Sequence, residues 1–159
     1  MPVKIRRMLP NDKPVLMKIL RNTPEFKPSE IVVAEEVIDG CLKDTVNSGY
    51  YALVAEDDSG VVGYISYGPT PLTEGTWDLY WEAIAQERRR QGTGGALMKA
   101  AEEEIRKAQG RLALIETSST PAYERTISFH LRQGYEIIAR VPDFYAPGDD
   151  KLILQKRLK

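Results

Sequence analysis

Hydrophobic and polar residues recur along this chain with two different spacings, and these spacings predict both strands and helices, in the order β-α-α-β-β-β-α-β-α-β-β. Runs rich in apolar and β-branched residues, typical of strands, lie at 3–8, 50–56, 61–67, 77–84, 111–117, 135–141 and 151–158. Apolar residues at helical spacing occur at 15–20, 29–45, 96–108 and 123–133. The resulting order mixes hairpin neighbours with helical crossovers. It predicts an α/β fold in which a mixed sheet of about seven strands carries four helices on its two faces.

Turn-forming and capping residues set the predicted ends of these elements. The cluster 57–60 predicts a hairpin turn between two antiparallel strands. Ser29 is predicted to cap the second helix, and Gly40 weakens the prediction that this helix is continuous. Gly110 is predicted to cap the end of the third helix, and residues 142–150 are predicted to form a loop between the last two strands.

The stretch 77–101 is the most informative part of the chain, because a strand, a basic glycine-rich turn and a helix follow one another directly. Gly92, Gly94 and Gly95 stand where the helix begins. The first N–H groups of a helix lack internal partners, so a phosphate can be bound there by the backbone when no Cβ blocks its approach. The arginines at 88–90 would add positive charge. The alternative is an ordinary tight turn with a solvated basic face.

Two common phosphate-binding motifs do not fit this turn. A P-loop requires Lys and then Ser or Thr after its last glycine, whereas Ala96 and Leu97 follow Gly95. A dinucleotide-binding fingerprint starting at Gly92 would require glycine at the position of Leu97. A nucleotide-binding regulatory domain that uses the same turn in another way stays open as a third-ranked function.

Composition favours one ordinary globular domain spanning residues 1–159, with 42% hydrophobic and 28% charged residues. The net charge of −1 gives no reason to expect nucleic acid or a membrane as partner. Cys41 is the single cysteine, which excludes an intrachain disulfide, and its apolar face predicts buried packing. No apolar run approaches the roughly 20 residues of a membrane span, so a cytoplasmic location is expected. No metal is predicted.

Residues 89–94 resemble the pyrophosphate-binding signature of the GNAT superfamily of N-acetyltransferases, Q/R-x-x-G-x-G/A. Residues 123–135 resemble the second acyl-CoA segment of this family, N-x-x-A-x-x-[LF]-Y-x-x-x-G-[FY]. This sequence departs from that second pattern at Tyr123, Thr126 and His130, where the family has Asn, Ala and Tyr. With both segments, the resemblance covers essentially the whole chain.

The resemblance implies direct transfer of an acetyl group from acetyl-CoA to a primary amine of a small molecule, a protein or a peptide. It also implies the GNAT fold, in which the fourth and fifth strands splay apart and the cofactor's pantetheine arm lies between them. A monomer or a homodimer is expected. The residues assigned to acetyl-CoA by the resemblance are Ala83, Ile84, Ala85, Arg89, Arg90, Gln91, Gly92, Thr93, Gly94, Gly95, Ala96, Tyr123, Thr126, Phe129 and His130.

The transfer needs a base for the acceptor ammonium and an acid for the departing thiolate. Asp78 and Glu82 lie at even spacing in one strand, so both are candidate bases; we favour Glu82, and a water chain is the alternative. For the acid, the resemblance points to His130, the only histidine. Tyr123, Tyr135 or solvent are alternatives, and His130 would then be a packing residue.

Three aromatic residues are candidates for contact with the acceptor: Phe26, Tyr80 and Tyr145. Phe26 lies in the loop between the two N-terminal helices, which forms part of the acceptor wall in the family, although a hydrophobic plug is an equal alternative. The aromatic and acidic residues at 143–150 could bind an amine by cation–π contact and charge, or simply connect two strands. An N-acetyltransferase is the first-ranked function, and a non-catalytic acyl-CoA-binding module is the second.

Overall fold

The computed structural model describes residues 2–159, which form seven strands and four α-helices. The strands are β1 (Lys4–Arg7), β2 (Tyr51–Asp57), β3 (Gly60–Pro69), β4 (Thr76–Ile84), β5 (Leu112–Ser118), β6 (Glu136–Ala146) and β7 (Asp149–Arg157). The helices are α1 (Lys13–Arg21), α2 (Pro28–Ser48), α3 (Thr93–Lys107) and α4 (Glu124–Arg132). Short 3-10 turns lie at Pro10–Asp12, Gln86–Arg88 and Pro121–Tyr123. The predicted α/β fold is confirmed.

The sheet has the strand order β1-β2-β3-β4-β5-β7-β6. The hairpin predicted around residues 57–60 is confirmed, because β2 and β3 pair antiparallel. Strands β4 and β5 are parallel, and their paired residues run from Thr76↔Leu112 to Leu79↔Ile115. Strand β4 continues beyond that last pair to Ile84. The sheet is therefore mixed, as expected for a chain that alternates hairpins and helical crossovers.

One compact unit consists of the chain up to Gly68 together with Tyr80–Glu104. Apolar side chains of α1 and α2 form its core with Ala52 and Val54 of β2 and Tyr64 of β3, as the predicted helical faces require. Cys41 belongs to this core, and burial raises the pKa of its thiol, so the prediction of a packing role is confirmed. The most deeply buried members are Leu16, Leu20, Ala34, Ile38, Val54 and Tyr64.

The second compact unit consists of Pro69–Leu79 and Ile105–Lys159. Part of its core comes from alternate positions of β5 and β7, namely Ala113, Ile115, Leu152 and Leu154, and Trp77, Leu79 and Ile105 are buried as well. In contrast, every residue of β6 is exposed. No helix within residues 2–159 combines the length and the apolar character needed to cross a membrane.

The structure corrects two predictions about α2. The helix begins at Pro28, so Ser29 lies inside its first turn and the capping position is Lys27. Proline suits the first helical position because its missing N–H would have had no partner there. Gly40 does not interrupt the helix; the non-helical residue is Asp44, with φ −162° and ψ 90°. A Cβ at Gly40 would approach the ring of Tyr50 to 2.9 Å, which explains a glycine at that position.

Two further predictions change in the second unit. The left-handed residue after α3 is Gln109, with φ 66°, rather than Gly110. The N–H of Gly110 still donates to the carbonyl of Ile105 at 2.8 Å, so the helix is capped one residue earlier than predicted. The predicted loop 142–150 is mostly strand, because β6 extends to Ala146 and β7 begins at Asp149. This supports the alternative that the segment is a hairpin connection.

Candidate active site

The glycine-rich turn, residues 89–95, connects the end of β4 to α3 in the first unit. The N–H of Ala85 donates to the carbonyl of Val62 at 2.8 Å, which ties the end of β4 to β3. After a 3-10 turn, the backbone adopts positive φ at Arg90 (64°) and Gly92 (84°). Glycine takes this conformation without strain, whereas Arg90 does so at a cost. The first bond of α3 then joins the N–H of Ala96 to the carbonyl of Gly92 at 3.0 Å.

The geometry of this turn fits an anionic group. The N–H groups of residues 92–95 lie at the start of α3, where the helix has no preceding carbonyl to accept their hydrogen bonds. They are therefore available as donors to a ligand. A Cβ placed on Gly92 would meet no atom of the described residues within 4 Å. The backbone is therefore open to a ligand at Gly92, and the positive end of the helix dipole favours negative charge there.

The three arginines beside the turn have different surroundings. Arg88 Nε donates to Asp57 Oδ2 at 2.8 Å, and Arg89 Nη2 donates to Glu25 Oε2 at 3.3 Å. Arg90 is exposed, and its guanidinium has no ion pair within residues 2–159. The sequence alone predicted positive charge at all three arginines, and the resemblance assigned Arg89 and Arg90 to the cofactor, whereas Arg88 and Arg89 already have carboxylate partners. Only the charge of Arg90 is left without an acidic partner in the described chain.

Glu82 lies in β4 with its carboxyl group in an unusual environment. Its Oε2 atom is shielded from solvent and accepts no hydrogen bond within the described residues. Burial raises the pKa of this carboxyl to about 8, because the charged form loses its hydration without gaining a partner. At pH 7 only about one tenth of such a group is ionised. A carboxyl with a pKa near the working pH is well suited to accept and release a proton.

Asp78, the other candidate base, lies in the β4 segment of the second unit. Burial is the main cause that raises its pKa, and nearby Glu116 adds to this effect. Thr70 Oγ1 donates to Asp78 Oδ2 at 2.8 Å, and this bond together with Lys151 acts in the opposite direction. Thr70 donates a hydrogen bond to Asp78, whereas Glu82 Oε2 has no donor within the described residues. The pKa of Glu82 is therefore raised further than that of Asp78.

His130 lies on α4 in the second unit, and only 7% of its surface is exposed. Its ring lies 5.4 Å from that of Phe129 and 6.2 Å from that of Tyr135, measured between centroids. Its Nδ1 atom is buried and has no hydrogen-bond partner within the described residues. Burial lowers the pKa of His130 to about 4. The imidazolium assumed from the sequence is therefore a minor species at neutral pH.

Tyr123, Thr126 and Phe129 accompany His130 in the second segment of the motif. Tyr123 directly precedes α4, and all three residues are half-buried. Tyr123 is the position at which this sequence has an aromatic residue instead of the family's asparagine. Its role as an alternative acid stays a prediction.

The aromatic acceptor candidates pack against other aromatic rings. Phe26 meets Trp81 edge-on at 5.4 Å and packs against the core of the first unit, as expected for a hydrophobic plug. Tyr80 meets Tyr50 in the same way at 5.5 Å. Tyr145 is 46% exposed, so it is accessible to a ligand. Contact of these residues with an acceptor stays a prediction.

The hairpin between β6 and β7 uses most of its charges internally. Lys151 Nζ lies 4.4 Å from the centroid of the Phe144 ring, so this ring already has a cationic partner within the chain. Asp150 accepts bonds from the Arg140 side chain and the Asp143 backbone. Asp149 accepts one from Ser118. These contacts stabilise the hairpin and leave few of its acidic groups for a cationic acceptor.

The two units contain different residues of the predicted site. The first unit holds Phe26, Tyr80, Glu82, Ala83, Ile84, Ala85, Arg89, Arg90, Gln91, Gly92, Thr93, Gly94, Gly95 and Ala96. The second unit holds Asp78, Tyr123, Thr126, Phe129, His130 and Tyr145. Sequence reasoning missed Asp57, Ser59 and Ser66, whose side chains bond to residues around the turn and β4.

Comparison with known proteins identifies the class of protein that this fold and turn define. Residues 48–137 match the family model of the acetyltransferase (GNAT) domain. The chain therefore belongs to the GNAT family of acetyltransferases. The prediction made from the two motif segments is confirmed.

Solved structures agree with this assignment. The crystal structure of a GNAT-family protein from Desulfovibrio desulfuricans is 38% identical, with a TM-score of 0.95, and the match covers 99% of this chain and 100% of that chain. A ribosomal-protein-alanine N-acetyltransferase from Brucella melitensis is 25% identical, with a TM-score of 0.75 and coverage of 97% and 99%. An aminoglycoside 6′-N-acetyltransferase in complex with coenzyme A shares the fold at 22% identity, with a TM-score of 0.76 and coverage of 98% and 97%. No curated protein sequence matches this chain.

Proposed function

We propose that residues 1–159 act as one N-acetyltransferase domain that transfers the acetyl group of acetyl-CoA to a primary amine of a small molecule, a protein or a peptide. Family membership supports the reaction class. The observation that carries the cofactor assignment is the open glycine-rich turn at the start of α3, within a motif that resembles the family's pyrophosphate signature. A neighbour with the same fold binds coenzyme A.

The diphosphate of coenzyme A fits the donors that this turn offers. In the proposal, the N–H groups of residues 92–95 donate to phosphate oxygens, and Arg90 supplies the balancing positive charge. The side chain of Thr93 is buried, so its contribution would come from its backbone. The end of β4, residues 83–85, would offer backbone groups to the pantetheine arm.

Acetyl-CoA supplies an activated acetyl thioester to this site. The acceptor nitrogen forms a bond to the acetyl carbon while the bond between that carbon and sulfur breaks. An acceptor that arrives as an ammonium loses two protons, of which one ends on the thiol and one leaves the site. We assign the removal of a proton from the ammonium to Glu82, since its raised pKa matches this exchange near neutral pH. Asp78 is the second candidate.

His130 is proposed to assist the departing sulfur as a neutral imidazole. A neutral ring carries one N–H, which can donate a hydrogen bond without the cost of a buried charge. A ligand group that pairs with Nδ1 would also remove the cost of leaving that buried atom without a partner. Tyr123 remains the alternative donor.

The proposal is tested by incubating the protein with acetyl-CoA and a panel of polyamines, amino acids, aminoglycosides and peptide N-termini. Free thiol is measured, and the acetylated product is identified by mass spectrometry. We expect amine-dependent thiol release by the wild type and by Glu36→Gln, in which an exposed carboxyl on α2 is neutralised. Glu82→Gln should be slower by about two to four orders of magnitude. Binding of acetyl-CoA without turnover on any amine would favour a non-catalytic acyl-CoA-binding module.

A further inference from the structure

The first arginine of the 88–90 run is held in a compact network with the turn between β2 and β3. Arg88 Nε donates to Asp57 Oδ2 at 2.8 Å, and Arg88 Nη2 donates to Ser59 Oγ at 3.2 Å. Ser59 in turn donates to Asp57 Oδ1 from its N–H at 2.8 Å and from its hydroxyl at 2.6 Å. The Asp57 side chain is only 1% exposed, so this carboxylate has little contact with water.

This network determines what Arg88 can do. Both carboxyl oxygens of Asp57 already accept hydrogen bonds, and the guanidinium of Arg88 forms an ion pair with this carboxylate. Withdrawing Arg88 toward another anion would leave a shielded carboxylate without its charge partner, which is costly. Arg88 is therefore committed to Asp57, in contrast to Arg90, which is exposed and unpaired within the described chain.

The position of the network places it at the entrance to the glycine-rich turn. Arg88 ends the 3-10 turn Gln86–Arg88, and the strained residue Arg90 follows two positions later. On the other side, Gln86 Nε2 donates to the carbonyl of Asn22 at 3.0 Å, and Arg89 pairs with Glu25. The segment is thus fixed from two directions before the chain adopts its left-handed conformation at Arg90.

We propose that Arg88 is a positioning residue for the cofactor: together with Asp57 and Ser59 it holds the glycine-rich turn in its open form, and it does not itself contact the diphosphate. The inference rests on the proposed function, because it names how the proposed cofactor site is kept ready for its ligand. A turn ordered in advance loses less conformational freedom when it binds. Breaking the network on either side should therefore weaken binding.

The experiment compares Arg88→Gln, Asp57→Asn and the double variant with the wild type. The matched control is Asp58→Asn, which removes the neighbouring exposed carboxyl of the same turn. Dissociation constants for coenzyme A are measured by calorimetry, and amide hydrogen exchange of residues 86–95 is measured without ligand. Thermal unfolding verifies that each variant is folded.

We expect each single variant to bind coenzyme A about 5- to 30-fold more weakly, and the double variant to be no weaker than the worse single variant, because both changes break one network. Amide exchange across 86–95 should be faster in all three, and Asp58→Asn should behave as the wild type. Arg88→Lys should recover part of the loss. With an accepted amine, the KM for acetyl-CoA should rise while kcat stays within about twofold.

The change in coenzyme A affinity of Asp57→Asn distinguishes a positioning role of Arg88 from direct phosphate binding. If Arg88 were a phosphate ligand, Asp57→Asn would free it and binding would stay equal or become tighter, which would overturn the proposal. Additive losses in the double variant, or unchanged amide exchange in both single variants, would overturn it as well. If the wild type ignores coenzyme A, the proposed function fails; faster exchange in the variants would then still support the anchoring role.

Discussion

Replacing Glu82 by Gln should have opposite effects on stability and on activity. Burial raises the pKa of Glu82 from its ordinary value of 4.5 to about 8. At 1.36 kcal/mol for each pH unit, this corresponds to at most about 5 kcal/mol of lost stability once the group is ionised in both states. Because the residue as a whole keeps some exposure, we expect about 2–4 kcal/mol. Glutamine has nearly the same shape and never ionises.

The direction in which stability changes with pH follows from how many protons the folded and the unfolded chain bind. Between pH 4.5 and about 8 the unfolded chain has released this proton, whereas the folded chain retains it. The contribution of Glu82 to the free energy of unfolding therefore falls as the pH rises through this window. Below pH 4.5 both states are protonated and the variant should match the wild type. Above pH 8 Glu82→Gln should be the more stable protein, although it is nearly inactive.

Urea unfolding of the wild type, Glu82→Gln and the surface control Glu36→Gln at pH 4, 7 and 9 measures this difference without any substrate. The gap between the wild type and Glu82→Gln should grow with pH, and Glu36→Gln should follow the wild type at each pH. A variant that is less stable than the wild type at pH 9, or a constant difference across the series, would refute the burial argument. With an accepted amine, the activity of the wild type should rise through pH 8, and this rise should stay in place when amines of different pKa are compared.

Two other variants test the remaining parts of the account. On acidification from pH 6.5 to about 4, the unfolded chain protonates His130 before the folded chain does, which costs the wild type about 2–3 kcal/mol of stability. His130→Phe should remove this loss, and unfolding at pH 4.5 and 7 measures it. Unchanged turnover of His130→Phe at saturating acetyl-CoA would exclude the proposed role of the imidazole. Gly68→Ala should destabilise the protein by about 1–3 kcal/mol in urea, because its Cβ would collide with the carbonyl oxygen of Gly49 and lie 3.2 Å from Tyr80; a variant as stable as the wild type would contradict the close approach.

The order and type of the elements could be read from the sequence because burial on one face imposes a period. The helical face of α2 and the hairpin of β2 and β3 are examples, and both were predicted correctly. Element ends were less predictable because several residues can satisfy the same terminal groups. Pro28 takes the first position of α2 in place of a Ser29 cap, and Gln109 adopts the left-handed conformation expected of a glycine.

In the candidate site, too, some features could be predicted from the sequence and others could not. The glycine-rich turn was visible because glycines at a strand-to-helix junction carry a local signal. The partner of Arg88 was invisible because Asp57 lies 31 residues away in sequence, in a turn with several acidic candidates. The raised pKa of Glu82 and the lowered pKa of His130 likewise depend on burial, which is a tertiary property. Tertiary contacts, and not sequence motifs, therefore determine how the ionisable side chains of this site differ from one another.

Calorimetric titration with acetyl-CoA tests the central claim most directly, with Gly94→Val as the comparison. Gly94 lies in the first turn of α3, where an added branched side chain would stand beside the N–H donors assigned to the diphosphate. The account predicts one saturable site per chain in the wild type and at least tenfold weaker binding by the folded variant. Only heats of dilution from the wild type at millimolar acetyl-CoA, or equal affinity of the two proteins, would contradict it.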